Sequence, residues 1–198
     1  LATEAIKLAR GRVLLISDHV LNKLGILDPL KQSLELSKYT VTEFMEVEPE
    51  PHVESVETLH KMTQAERFDL VVGVGGGSVL DVTKLIAQVA VSGISPRDCL
   101  LRNVVPEKSG LPVIVLPTTA GTGSEVSMNI VMTVDKEKRF TFSPYFYPNI
   151  AIIDPLLTLS MSPRLTATTG IDALSHALDG MMHKNASPLS DTLCLAGI

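Results

Sequence analysis

Three consecutive glycines, Gly75, Gly76 and Gly77, stand between an apolar run and a helix-like stretch in "GVGGGSVLDVTK", residues 73 to 84. The run before them, Leu70-Val71-Val72-Gly73-Val74, is short, β-branched and apolar, the pattern of a strand buried on both faces of a parallel sheet. After them, Ser78 followed three residues later by Asp81 resembles a capping box with Asp in place of Glu or Gln, which predicts a helix start near Ser78. A strand, a glycine loop and a helix start in that order turn free backbone N–H groups and the positive end of a helix dipole toward anything that enters the loop. Two readings are open: the loop cradles an anion such as a phosphate, or it is a tight turn that binds nothing. Three glycines exceed what one turn needs, which favours the anion. The dinucleotide fingerprint G-x-G-x-x-G does not describe the loop well, because Ser78 holds the third glycine position and the strand is a late one. Asp98, where that fingerprint would want a ribose-binding acid, reads as a solvated loop residue in "SGISPRDC".

Around this unit, strand and helix patterns alternate. Val13 to Ile16 reads as a strand, followed by a helical stretch to about Leu36, a strand at Val41 to Val47 and a helix from about His52 to Glu66. The helix after the glycines runs to about Val91, and "LPVIVLP" at 111 to 117 is a further buried strand limited by prolines. That order predicts an α/β domain with a doubly wound parallel sheet. Ile130 to Val134 and Phe140 to Phe142 suit a β-hairpin around "DKEK", and "NIAIID" at 149 to 154 is a short strand. From Ser162-Pro163 onward, a Ser cap and a first-turn proline open a helical region. The expected division is a nucleotide-binding α/β domain over 1–157 and the start of an all-helical, metal-binding domain over 158–198. Both ends read as interrupted helices, so the expectation is that the chain is truncated.

Composition narrows the partners. A net charge of −5, with no dense Lys/Arg cluster and scattered aromatics, argues against nucleic acid. No apolar run has the length of a membrane span and no signal-peptide pattern is present, so a cytoplasmic protein without a membrane partner is expected. Cys99 and Cys194 read as free thiols.

In "TTGIDALSHALDG", Asp172 and His176 are spaced i and i+4 and share one helix face, able to converge on one ion. A carboxylate with an imidazole suits Fe or Zn better than Mg or Ca. Asp179 and His183 continue that face, but His183 is too far along the axis to complete a site that needs about three protein ligands. A solvated helix face is the plain alternative. His19, His52 and His60 carry no spacing signal and read as surface residues.

Taken together, "VLLISDHVLNKLG", "GGGSVLDVTK", "LPTTAGTGSEVS" and "NIAIIDPLLTLSMSPRLTATTGIDALSHALDG" resemble the iron-containing, group III alcohol dehydrogenase family. The resemblance implies an NAD(P)-dependent enzyme with a metal in the cleft between an α/β and a helical domain. It implies that Gly75, Gly76, Gly77 and Ser78 hold the pyrophosphate, and that Thr118, Thr119 and Thr122 form a hydroxyl-rich cofactor loop. Asp18 matches a ribose-binding position, where a carboxylate would repel a 2′-phosphate, so NAD is expected over NADP. Asp81 and Lys84 also match the motif, with Lys84 either touching the cofactor or only covering the helix, and Lys138 matches a cofactor-contacting lysine. Asp172 and His176 match two of four ligands to Fe2+ or Zn2+, the other two being histidines on later helices. Glu50 stands where many relatives carry Asn, and Asp179 where Glu is usual. The implied reaction is hydride transfer between NAD and a primary alcohol or aldehyde, by a homo-oligomer, commonly a homodimer. The alternatives are a dinucleotide-binding module without catalysis and a relative acting on hydroxy or oxo acids.

Overall fold

A computed structural model describes residues 1–198. The apolar runs form a five-stranded parallel sheet whose inner strands are buried on both faces, while the two edge strands are partly exposed. In chain order the elements begin α1 (Ala2–Leu8), β1 (Arg12–Ile16), α2 (His19–Lys23), α3 (Asp28–Leu36) and β2 (Thr40–Phe44). They continue with α4 (Val53–Ala65), β3 (Leu70–Gly75), α5 (Gly77–Ser92), α6 (Pro96–Arg102) and β4 (Val113–Pro117). A hairpin of β5 (Asn129–Val134) and β6 (Glu137–Phe142) precedes the short β7 (Ile150–Ala151), and α7 (Pro163–Met182) and α8 (Pro188–Gly197) follow. Strand order is β2-β1-β3-β4-β7, all parallel, with β5 and β6 in a separate antiparallel pair.

Alternation along the strands divides the core. Val13, Leu15, Leu70, Val72, Val74, Ile114 and Leu116 face α1 to α3, whereas Leu14, Ile16, Val71, Val113 and Val115 face α4, α5, α6 and the hairpin. Helices therefore cover both faces, as a doubly wound sheet requires. α5 is buried along nearly its whole length, from Val79 to Val89, between the sheet and the hairpin residues Ile130, Met132 and Val134. No single helix is long and apolar enough to cross a membrane; α5 and α6 reach that length only as a pair bent by 108°.

Several expectations need correction. α5 starts at Gly77 with Gly76 as its N-cap and no side-chain cap, so Ser78 is not a capping residue. Asp81, expected to complete that box, bonds residues of the hairpin region instead. Asp98 is not in a loop: it lies in the first turn of α6, where its N–H donates to Ser95 Oγ (3.0 Å) and Ser95 Oγ donates back to its carboxylate (2.9 Å). The stretch expected to run unbroken to Leu36 divides into α2 and α3, with Gly25 in the left-handed region at φ 71°. The hairpin turn is Asp135-Lys136, both with positive φ (49° and 69°), as a two-residue turn compatible with strand twist demands. Ser162 caps α7 by accepting from Leu165 N–H at 3.2 Å, in accord with the sequence signal. His183 does not extend the α7 face: it is the extended C-cap residue, and its Nδ1 accepts from Asn185 N–H (3.2 Å). His60 is half-buried rather than a surface residue, and desolvation lowers its pKa.

Candidate dinucleotide and metal cleft

The carboxyl ends of β1, β3 and β4 lie side by side, and the chain leaves each in a segment that the sequence singled out. Ile16 pairs with Gly73, and Gly75 with Pro117, which sets Asp18, Gly76 and Thr118 along one edge. Thr118 N–H donates to Gly75 C=O (3.0 Å), locking the two loops together. The strand order reverses between β1 and β3, the point where open α/β sheets bind ligands.

The loop's glycines divide by task. A Cβ on Gly75 would lie 2.5 Å from a methyl of Val79, so this glycine lets the first turn of α5 pack onto β3. A Cβ on Gly77 would lie 2.7 Å from Thr122 Oγ1, on the side facing the cleft. The N–H groups of the first turn of α5 have no side-chain cap, which leaves a dipole end open to an anion. Uncapped donors and a glycine-lined approach fit a phosphate group.

A cleft of ≈ 360 Å³ opens at this helix start. It brings together Gly77, Ser78, Asp81, Thr122, Lys138, Asp172 and His176 among the residues expected to form the site. Asp18, Gly75, Gly76, Thr118 and Thr119 stay outside its lining, at the neighbouring sheet edge. Asp18 caps α2, its Oδ1 accepting from Val20 N–H (2.8 Å) and Leu21 N–H (2.9 Å). Thr122 Oγ1 accepts from Ser124 N–H (3.2 Å) and so shapes its own loop. Gly121 brings that loop against α7, since a Cβ there would lie 3.0 Å from Thr169 Cβ.

Asp172 and His176 face the cleft from α7, with Oδ1 and Nε2 3.7 Å apart and both side chains substantially exposed. That separation and donor pair suit adjacent positions on one divalent first-row ion. No third His, Cys, Asp or Glu joins them to make a group of three. Also lining the cleft, Lys138 Nζ bonds Glu50 Oε1 at 3.0 Å, and Glu50 sits in the left-handed region at φ 53°.

Residues 124–131, which form one wall, were not anticipated as part of the site. Asp81 Oδ1 accepts from Ser124 Oγ (2.6 Å) and Oδ2 from Val131 N–H (2.9 Å). Lys84 Nζ donates to the carbonyls of Ser124 (3.1 Å), Ser127 (3.2 Å) and Asn129 (2.7 Å), and lies 3.1 Å from Asp81 Oδ1. Burial lowers the Lys84 pKa, while the Asp81 charge acts to raise it. A signal was available: an Asp and a Lys three apart in the otherwise apolar "VLDVTKLIAQVAV" must find partners inside the protein.

Comparison with known proteins identifies the family. The family model described as iron-containing alcohol dehydrogenase matches residues 1–155. The long-chain-alcohol dehydrogenase 1 of Geobacillus thermodenitrificans is 42% identical over 200 residues, covering 100% of this chain and 51% of the relative. An iron-containing alcohol dehydrogenase structure from Thermotoga maritima superposes with a TM-score of 0.87 at 36% identity, covering 96% of this chain and 52% of that one. A sulfoacetaldehyde reductase from Bifidobacterium kashiwanohense, solved with NAD+, gives 0.86 at 34% identity, covering 97% and 50% respectively. The chain thus spans about half the length of the relatives it matches. Together with the cleft between the start of α5 and α7, the match over residues 1–155 shows that the chain belongs to the iron-containing alcohol dehydrogenase family.

Proposed function

We propose that the full-length protein transfers a hydride between NAD and a primary alcohol or its aldehyde in this cleft. The observation that carries the proposal is the juxtaposition, in one cleft, of an uncapped glycine-rich helix start and the Asp172–His176 pair. The N–H groups at the start of α5 bind and orient the pyrophosphate, with Gly76, Gly77 and Ser78 allowing its close approach. Thr118, Thr119 and Thr122 line the path along the sheet edge with short hydroxyl side chains. The Asp18 carboxylate receives a ribose hydroxyl and repels a 2′-phosphate, which favours NAD over NADP. Asp172 and His176 supply two ligands to a divalent iron ion, or to zinc. That ion, when bound, supplies Lewis-acid polarisation of the substrate oxygen. The division into 1–157 and 158–198 places the dinucleotide on the first part and these ligands on the second.

The test is an assay of the iron-loaded, full-length protein with NAD and a series of primary alcohols. Alcohol-dependent formation of NADH supports the proposal, and its absence across the series with bound NAD and iron contradicts it. A second reading applies to residues 1–198 by themselves. With two metal-type donors in place and no group of three, this stretch alone binds the dinucleotide without oxidising alcohol.

A further inference from the structure

Lys84 is among the largest of the fully buried side chains and the one that carries a charge, and its ammonium has a task that does not involve solvent or ligand. Its three donors are directed at three backbone carbonyls, those of Ser124, Ser127 and Asn129, and Asp81 lies beside it. Asp81 in turn accepts from Ser124 Oγ and Val131 N–H. Two side chains one turn apart on α5 therefore hold the whole segment 124–131. That segment is a short 3-10 turn leading into the start of β5, so its carbonyls depend on side-chain donors more than those of a strand interior do.

The same segment contributes Ser124, Ser127, Asn129 and Val131 to the cleft wall, and the same helix opens the cleft at Gly77 and Ser78. One rigid element thus carries both the anion-binding end and the anchor of the facing wall. Replacing Lys84 by an apolar side chain would leave converging carbonyls and the Asp81 carboxylate buried without their partner.

We propose that Lys84, braced by Asp81, is a positioning residue for the dinucleotide: it fixes the wall 124–131 relative to the start of α5 without touching the ligand. The proposal rests on the reading of this cleft as the dinucleotide site.

The test measures NADH affinity by fluorescence titration, amide hydrogen exchange of 124–131 and thermal midpoint in the full-length, metal-loaded protein. The variants are Lys84→Met, the double variant Asp81→Asn with Lys84→Met, and Ser124→Ala. Lys84→Met is expected to weaken NADH binding by about tenfold or more and to raise exchange in 124–131, with β1 and β3 unchanged. The double variant, relieved of an unpaired buried carboxylate, regains much of the lost thermal midpoint but not the NADH affinity. A purely structural role would restore the two together. Ser124→Ala, which removes one bond at the edge of the network, weakens NADH binding about threefold with little change in midpoint. The proposal is overturned if Lys84→Met or the double variant binds NADH like the parent, with parent-like exchange in 124–131. Should Lys84→Met not fold, unchanged affinity and exchange in Ser124→Ala overturns it. Absence of NADH binding to the parent overturns the dinucleotide reading and this proposal together, whereas a binding parent with indifferent variants overturns this proposal alone.

Discussion

Asp172 Oδ1 and His176 Nε2 lie 3.7 Å apart, one turn along α7, and both face the cleft that begins at Gly77. If this pair holds the metal as proposed, loss of either donor would remove one of its ligands while leaving the start of α5 intact. In the full-length protein, Asp172→Ala and His176→Ala are each expected to lower iron content and turnover by about 100-fold or more, with NADH affinity within about threefold of the parent. Metal analysis, turnover and NADH titration on the same preparations check this. Full turnover in either variant would sink the metal assignment.

Gly75 and Gly77 are predicted to fail differently. Gly75→Ala forces a Cβ to within 2.5 Å of Val79 in the core, so it is expected to lower stability by about 1–3 kcal/mol. Gly77→Ala meets the Thr122 hydroxyl at the cleft face, and its main effect is weaker NADH binding, about tenfold. Urea unfolding and NADH titration of the pair separate packing from ligand approach.

Glu50 and Lys138 form an exposed pair at the cleft rim, of the kind worth about 1 kcal/mol or less. Glu50 is also held at φ 53°, a conformation that Asn tolerates better. Glu50→Asn is therefore expected to leave unfolding stability equal to the parent or up to about 1 kcal/mol higher. By removing a negative charge and freeing Lys138 it is also expected to tighten NADH binding a few-fold at low salt, an effect that fades as salt is raised. Weaker NADH binding at every ionic strength would count against a role for Lys138 beside the cofactor.

Cys99 is fully buried, and desolvation first, with the Asp98 charge second, pushes its pKa from 9.0 up to about 12. A raised folded-state pKa means that its contribution to stability is complete below the unfolded thiol pKa and is lost as pH rises from about 9 toward 12. Lys84 acts in the opposite sense, because its folded pKa is lowered and the cost of its buried charge eases as pH rises toward 10.5. Cys99→Ala is expected to flatten the alkaline fall in urea stability. In the folded protein at neutral pH, Ellman's reagent is expected to reach the half-buried Cys194 before Cys99.

The parallel sheet was legible because its inner strands are buried on both faces and show as unbroken apolar runs such as "LVVGV" and "VIVL". The i, i+4 placement of Asp172 and His176 was legible because it depends only on helix periodicity. The start of α5 was read one residue late because a glycine, not the Ser78 hydroxyl, occupies the N-cap. Asp81 looked like a local cap, and no local pattern could show that Val131, 50 residues on, takes its carboxylate. The Ser95-Pro96 start of α6 repeats the Ser162-Pro163 signal that located α7, yet the neighbouring loop residues obscured it. Long-range bonds, not propensity, decide these cases.

Titration of NADH, and separately NADPH, into the full-length, metal-loaded protein tests the dinucleotide site most directly. Saturable NADH binding at one site per chain is expected, weakened by Gly77→Ala, with NADPH bound less tightly because of Asp18. No saturable NADH binding, or NADH binding indifferent to Gly77→Ala, would contradict the assignment of the start of α5 as the dinucleotide site.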